Sequence, residues 1–175
     1  MSRLKKKTLI KILNNLPKIK ALIIGDLMID RYVFGEIERI SPEAPVPVLN
    51  ESYIEERPGG ASNVAFNLEQ FGVSSILLGI LGNDNEKNNF LKLIKPHTNI
   101  NISDILINNN RPTTVKTRVI AQNQQILRID REVTENIDSP RELINIYKKY
   151  IKHIDVVIVS DYGKGVVNEI TIKEI

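Results

Sequence analysis

The chain contains no cysteine and no tryptophan, and only two histidines, His97 and His153, in 175 residues. Without cysteine there is no disulfide scaffold, no thiolate nucleophile, no zinc ribbon and no cysteine-ligated iron–sulfur cluster. The histidines lie far apart, and no HExxH or comparable ligand spacing occurs, so no metal site is expected from these residues. Aromatic residues make up only 5%, too few for a base-stacking surface. Lys+Arg at 24 against Asp+Glu at 21 leaves a net charge of +3, a small imbalance rather than a basic patch. Nucleic acid is therefore not an expected partner. No apolar run approaches the roughly 18–20 residues of a membrane span, so neither is a membrane. Lys5-Lys6-Lys7 followed by Leu9-Ile10-Lys11-Ile12-Leu13 has the order of a signal peptide. Lys11 interrupts its apolar part and no small-residue cleavage site follows, so a surface helix and a cytoplasmic location are expected.

What is present reads as a globular domain. Hydrophobic residues are 42% and charged residues 26%, which argues against wholesale disorder. The length suits one domain, for which roughly 100–200 residues is usual. Leu4–Leu16 carries an apolar helical stripe that Pro17 ends. Ala21-Leu22-Ile23-Ile24, stopped by Gly25-Asp26, has the all-apolar pattern of a strand buried on both faces of a parallel sheet. Ser75–Leu81, Ile100–Ile107 and Val156–Val159 are further strand candidates. Arg31–Phe34 and Val46–Ile54 are extended, with Pro42, Pro45 and Pro47 between or within them, which predicts edge or flap strands. Pro58-Gly59-Gly60 signals a turn. Val64, Ala65, Leu68 and Phe71 then recur at helical spacing, with Gly72 as a C-cap. Asp84 is placed to cap a helix whose inner face holds Phe90, Leu91 and Ile94. Thr114–Ile120 and Gln125–Asp130 alternate with period two, and the linker between them predicts a hairpin. Pro140–Ile151 is helical. Strands alternating with helices predict an α/β fold with a parallel sheet; the proline-flanked and period-two strands predict a separate small β layer.

Three strands end in polar clusters: Gly25-Asp26 with Asp30, Gly82 with Asp84, and Ser160-Asp161. Ligands of open α/β sheets bind outside the carboxyl ends of the strands, where these clusters fall. Asp26 and Asp84 read equally as caps for loops and helices. Gly59-Gly60 before a helix is more specific, because no Cβ blocks close approach to the backbone and the helix start offers free N–H groups. Asn63, one turn in, has a side-chain amide that both donates and accepts. Lys116 and Arg118 share one strand face, an arrangement suited to an anion such as phosphate or simply to a solvated surface. No GxxxxGK[ST] loop occurs, and Gly163-Lys164-Gly165 lacks the rest of GxGxxG.

Gly59-Gly60-Ala61-Ser62-Asn63-Val64-Ala65, with Gly72 and Gly82, resembles the first signature of the ribokinase/phosphofructokinase-B (PfkB) sugar-kinase family. Within it, several segments are similar to the kinase domain of bacterial D-glycero-β-D-manno-heptose-7-phosphate kinases, which are often fused to an adenylyltransferase. They are Gly25–Tyr32, Arg39–Val48, Glu55–Gly60, Lys116–Val119 with Asn123-Gln124-Gln125 and Arg128-Ile129-Asp130, and Ser160–Gly165. The resemblance spans about Ile23 to Val166. It implies a Rossmann-like ribokinase core and a small β lid, with lid strands near 31–54 and 113–130, that also builds a homodimer. It implies a carbohydrate kinase that transfers phosphate from ATP, with Mg²⁺, to the anomeric hydroxyl of heptose 7-phosphate in ADP-heptose and lipopolysaccharide core synthesis. By position, Asp30 would hold sugar hydroxyls, and Gly59, Gly60 and Asn63 would line the sugar site. Lys116 and Arg118 would contact the sugar-borne phosphate, and Asp161 and Lys164 would lie near the transferring phosphate. Family members are longer. Their Gly-x-Gly-Asp motif, which carries the catalytic base, does not occur in these 175 residues, so the base is expected beyond Ile175 and no catalytic residue is assigned. Asn83-Asp84-Asn85-Glu86 matches their Asn-x-x-Glu motif by letter but lies far too early in the chain. The expectation is therefore a truncated domain, residues 1–175, that holds the sugar-binding half, lacks the main ATP and Mg²⁺ half, and is inactive alone. Two other readings stay open: a non-catalytic sugar-phosphate-binding or dimerisation module, and a kinase for another phosphosugar.

Overall fold

The computed structural model describes residues 6–175. The first helix, α1 (Lys6–Asn15), leads into a short 3-10 turn holding Pro17; Leu4 and Lys5 of the predicted helix lie outside the described residues. Leu9, Ile10, Ile12 and Leu13 on α1 are all exposed, as expected of a surface helix.

Two sheets organise the rest. The first is parallel and contains β1 (Lys20–Gly25), β4 (Ser74–Leu78), β6 (Ile100–Asn101) and β10 (Val156–Ser160), in the order β10-β1-β4-β6. Alternate side chains of β1 go to opposite faces. Ala21 and Ile23 join Leu77, Ala65, Phe90 and Ile94 under α2 (Ala61–Glu69) and α3 (Asn85–Ile94). Leu22 and Ile24 join Leu78, Leu143 and Tyr147 under α4 (Pro140–Tyr150). This double burial is why β1 is apolar throughout. β10 is an outer strand, and Val156 and Val159 on it are exposed. A short α5 (Glu169–Ile172) follows. Just past it, Ile175 packs against the cluster under α4, and its carbonyl accepts from the Tyr147 hydroxyl at 3.1 Å.

The second sheet is the separate β layer. It contains β2 (Leu27–Ile40), β3 (Pro47–Gly60), β8 (Thr114–Ala121) and β9 (Gln124–Arg131), in the order β3-β2-β8-β9. Its strands reach further toward the core than the expected 31–54 and 113–130. β2 is interior, hydrogen-bonded on both sides, which corrects the expectation that both proline-flanked segments would be edge or flap strands. Pro42 and Pro45 lie in the connection, while Pro47 and Pro58 belong to β3, which is an edge strand. At an edge a missing N–H is harmless. Gln122 and Asn123 both adopt positive φ and close the predicted β8–β9 hairpin.

Other apolar runs divide differently from their sequence pattern. Ser75–Leu81 is not one strand: Gly79 separates β4 from β5 (Ile80–Gly82), which pairs with β7 (Leu106–Asn108) in a third, two-stranded sheet. Ile100–Ile107 likewise divides into β6 and β7. Pro58-Gly59-Gly60 is not a separate turn; β3 runs to Gly60 and α2 begins at once. Phe71 lies beyond the end of α2 and is exposed, rather than part of its buried face. Gly72 takes the positive φ that ends the helix.

Candidate functional site

The carboxyl ends of β1 and β10 meet the base of the second sheet. Asp26, 1% exposed, leaves β1 here and organises the junction. Its Oδ2 accepts from the Tyr162 and Lys164 amides at 2.7 and 3.1 Å, and its Oδ1 from the Val166 amide at 3.3 Å. Its carbonyl accepts from the Ala61 amide at 2.9 Å, which ties the start of α2 to the same point. Asp26 therefore caps a loop, one of its two sequence readings. Asp84 does the same for α3, accepting from the Lys87 amide at 3.1 Å and from the Thr113 amide at 3.1 Å. Glu86 of the letter-match motif pairs with Arg31 at 2.7 Å, and Arg31 also pairs with Glu56, so this cluster fastens the second sheet to α3.

Gly60 has φ +55, and a Cβ there would fall 2.3 Å from the Asp26 carbonyl oxygen. A Cβ on Gly59 would fall 2.6 Å from Asp30 Oδ2. The glycine pair thus makes a one-residue corner and leaves room for the Asp30 carboxylate against the backbone.

Registration across β3, β2, β8 and β9 places Arg57, Asp30, Lys116 and Asp130 in one row, and Glu55, Tyr32, Arg118 and Arg128 in the next, all on one face. Arg118 Nη1 donates to Asp30 Oδ1 at 2.5 Å. The Arg118 and Arg57 guanidinium groups lie 5.3 and 5.4 Å from the Tyr32 ring centroid, within cation–π range. Burial disfavours the Arg118 charge, but the Asp30 hydrogen bond and the nearby acidic groups together outweigh it and raise its pKa.

Lys116 Nζ donates to Glu132 Oε2 at 2.8 Å and to Asp130 Oδ2 at 3.1 Å. Lys164 Nζ donates to the other Glu132 oxygen at 2.8 Å. Burial alone would push the Glu132 carboxyl up; the two lysines overcome it and hold it below the usual glutamate value. Burial likewise opposes the Lys116 charge, and its two carboxylate partners raise its pKa in spite of that.

The structure thus brings Asp30, Gly59, Gly60, Lys116, Arg118 and Lys164 around one junction of sheet and core. Asn63 is exposed and opens on an adjoining cleft with Arg57, Pro58, Phe66 and His97. Asp161 is exposed too, and its Oδ1 accepts from the Gly163 amide at 2.8 Å, bracing its own turn. Ile175 takes no part in the junction: its contacts are the apolar packing under α4 and the Tyr147 hydroxyl. Tyr32, Arg57 and Glu132 were not singled out from sequence. Period two in β2 and β3 is the signal that could have placed Tyr32 and Arg57 on the Asp30 face, whereas Glu132 has no local signal. Among the described residues, no group of three or more His, Cys, Asp or Glu side chains is placed to hold a metal ion. No helix among the described residues is long and apolar enough to cross a membrane.

Comparison with known proteins bears on the family and the fold. The family model "pfkB family carbohydrate kinase" matches residues 18–175. A "Bifunctional protein HldE" from Helicobacter pylori (strain P12) is 46% identical over 151 residues, covering 85% of this chain and 32% of that protein. A protein of the same name from Coxiella burnetii is 42% identical over 155 residues, covering 88% of this chain and 32% of that protein. The chain spans about a third of the length of these curated relatives. Among solved structures, a carbohydrate kinase from Agrobacterium tumefaciens aligns with a TM-score of 0.63 at 20% identity, over 81% of this chain and 45% of that one. A 1-phosphofructokinase candidate from Thermotoga maritima aligns with a TM-score of 0.64 at 20% identity, over 89% of this chain and 51% of that one. These two share the fold. On the family match and the sequence identity together, the chain belongs to the pfkB family of carbohydrate kinases.

Proposed function

We propose that this chain forms the phosphosugar side of an ATP-dependent heptose-7-phosphate kinase, which phosphorylates the anomeric hydroxyl of its substrate on the route to ADP-heptose and the lipopolysaccharide core. The observation that carries the reading is the convergence of paired cations and carboxylates, Arg118 with Asp30 and Lys116 with Lys164 through Glu132, beside the glycine corner. A sugar needs carboxylate and amide groups for its hydroxyls; its phosphate needs fixed cations. Asp30, with Gly59, Gly60 and Asn63, takes the first role, and Lys116 and Arg118 take the second. Lys164 and Asp161 stand nearer the transferring phosphate.

ATP and Mg²⁺ belong to the same proposal. When bound, ATP would supply the phosphoryl group and Mg²⁺ would neutralise its charge, while these residues orient the acceptor. The Gly-x-Gly-Asp base is not among the 175 residues, so the chain by itself binds phosphosugar without turning over ATP. The resemblance of Arg39–Val48 and Asn123-Gln124-Gln125 to the heptose kinases supports the heptose substrate over other phosphosugars.

The opposite face of the second sheet supports a homodimer through it. Val33, Ile54, Val119, Leu127 and Ile129 share that face, and Ile54, Leu127 and Ile129 are about half exposed. Sedimentation should show a dimer that Leu127→Asp dissociates; a wild-type monomer would remove this part.

Calorimetric titration of the chain with heptose 7-phosphate and with fructose 6-phosphate tests the substrate. The heptose should bind at least tenfold tighter, and Arg118→Ala should cost both sugars their affinity. Tighter binding of fructose 6-phosphate would move the chain to another phosphosugar.

A further inference from the structure

Glu132 stands outside every motif above, yet it is the side chain that joins the two lysines of the site. It follows the end of β9, so it belongs to the hairpin. Lys116 comes from β8, and Lys164 comes from the loop after β10, in the core. Its two oxygens divide between them, Oε2 to Lys116 and Oε1 to Lys164, each at 2.8 Å. Among the described residues Glu132 is the one side chain bonded to Lys164 Nζ. The side chains of Lys116, Lys164 and Glu132 are 13%, 13% and 20% exposed, so this is not a solvated surface pair of negligible strength.

The backbone around the contact is fixed independently. The Lys164 amide is held by Asp26 and its carbonyl by Arg111 Nη2 at 2.7 Å. The same guanidinium nitrogen donates to the Val133 carbonyl at 2.9 Å, one residue past Glu132. The chain path on both sides is thus set without Glu132, and what Glu132 adds is the position of the ammonium groups. Two like charges from separate elements would drift apart; a shared carboxylate holds them together. An ammonium has three donors. Glu132 takes one from each lysine and Asp130 takes a second from Lys116, which leaves one on Lys116 and two on Lys164 for an anion.

We propose that Glu132 is a positioning residue that sets Lys116 of the lid sheet and Lys164 of the core side by side as one phosphate-binding pair. The proposal rests on the phosphosugar reading of the site for its ligand, but not for its geometry.

Glu132→Gln in the full chain separates positioning from charge, because the two effects have opposite signs. Removing a negative charge beside two lysines, by itself, strengthens anion binding. Losing their alignment weakens it. Titration with inorganic phosphate, followed by NMR, should show affinity about fivefold to tenfold weaker in Glu132→Gln, and almost no further loss when the change is made in a Lys164→Met background. Unchanged or tighter binding, or an equal loss in both backgrounds, overturns the proposal.

The lysine ¹⁵Nζ signals give a readout without ligand. Both ammonium groups should be protected from water exchange in the wild type and both lose protection in Glu132→Gln. If that variant does not fold, acid titration of the wild type replaces it: both ¹⁵Nζ chemical shifts should move in one transition that follows the Glu132 carboxyl. Protection that survives in Glu132→Gln, or acid shifts that are absent or move independently, overturn the proposal. If the wild type binds no phosphate while the signals behave as expected, the phosphate reading falls and the positioning role of Glu132 stands.

Discussion

Replacing Asp26 by asparagine tests how the site is anchored. The carboxylate is buried and accepts three backbone N–H groups, from Tyr162, Lys164 and Val166. Asparagine has one acceptor oxygen in place of two. With that oxygen set where Oδ2 now lies, the Tyr162 and Lys164 bonds survive as neutral ones. The new NH₂ then faces the Val166 N–H, donor against donor. Hydrogen bonds to a charged group contribute about 1.5–3 kcal/mol and neutral ones about 0.5–1.5, so two weakened bonds cost about 1 kcal/mol each. Leaving one buried donor unsatisfied costs about 1 kcal/mol or more. The total is about 3 kcal/mol, a large part of the roughly 5–15 kcal/mol that holds a domain folded. With a urea m-value of about 2 kcal/mol/M, the unfolding midpoint should fall by about 1.5 M. Hydrogen exchange should quicken first at the amides of Tyr162, Lys164 and Val166. A midpoint within about 0.5 M of wild type, equivalent to about 1 kcal/mol, or no local change at those three amides, would refute the reasoning.

Two further predictions concern the same junction. Gly60→Ala places a methyl group 2.3 Å from the Asp26 carbonyl at positive φ, so the chain should lose at least about 2 kcal/mol, measurable by urea denaturation. Stability should also fall on acidification. Asp84, Glu86, Asp130 and Glu132 all have pKa values held below normal, because their hydrogen-bonded partners outweigh the upward push of burial. The unfolded chain takes up protons first, near pH 4.3 for glutamate and 3.9 for aspartate. Stabilisation is therefore present above that range and lost as pH falls through the lower folded values, which thermal melts between pH 6 and pH 3 would show.

Local chemistry was legible where it is self-contained. β1 announces double burial, Asp84 announces the start of α3, and the period-two segments announce the β8–β9 hairpin. The glycine pair was expected to open the backbone at the start of a helix, and α2 begins directly after it. The structure adds that Gly60 is also required by the Asp26 carbonyl and Gly59 by the Asp30 carboxylate. Long-range decisions were not legible. A continuous apolar run does not reveal that Gly79 hands it from one sheet to another; a Cβ there would fall 2.5 Å from the Gly25 carbonyl, a contact that exists only after folding. The prolines beside β2 could not show that the edge is β3. The Arg118–Asp30 pair joins residues 88 apart, and Glu132 reaches Lys164 across 32. Nothing in local spacing encodes either, because both depend on the register of β8 against β2 and on the loop that Asp26 holds.

We propose that this junction binds the phosphosugar of a pfkB-family kinase. The most direct test is an NMR titration of the isotope-labelled chain with heptose 7-phosphate. Saturable shifts should cluster at Asp30, Gly59, Gly60, Lys116, Arg118 and Lys164, and Arg118→Ala should abolish them in a chain that still folds. Shifts confined to other surfaces, or none at millimolar sugar phosphate, would contradict it.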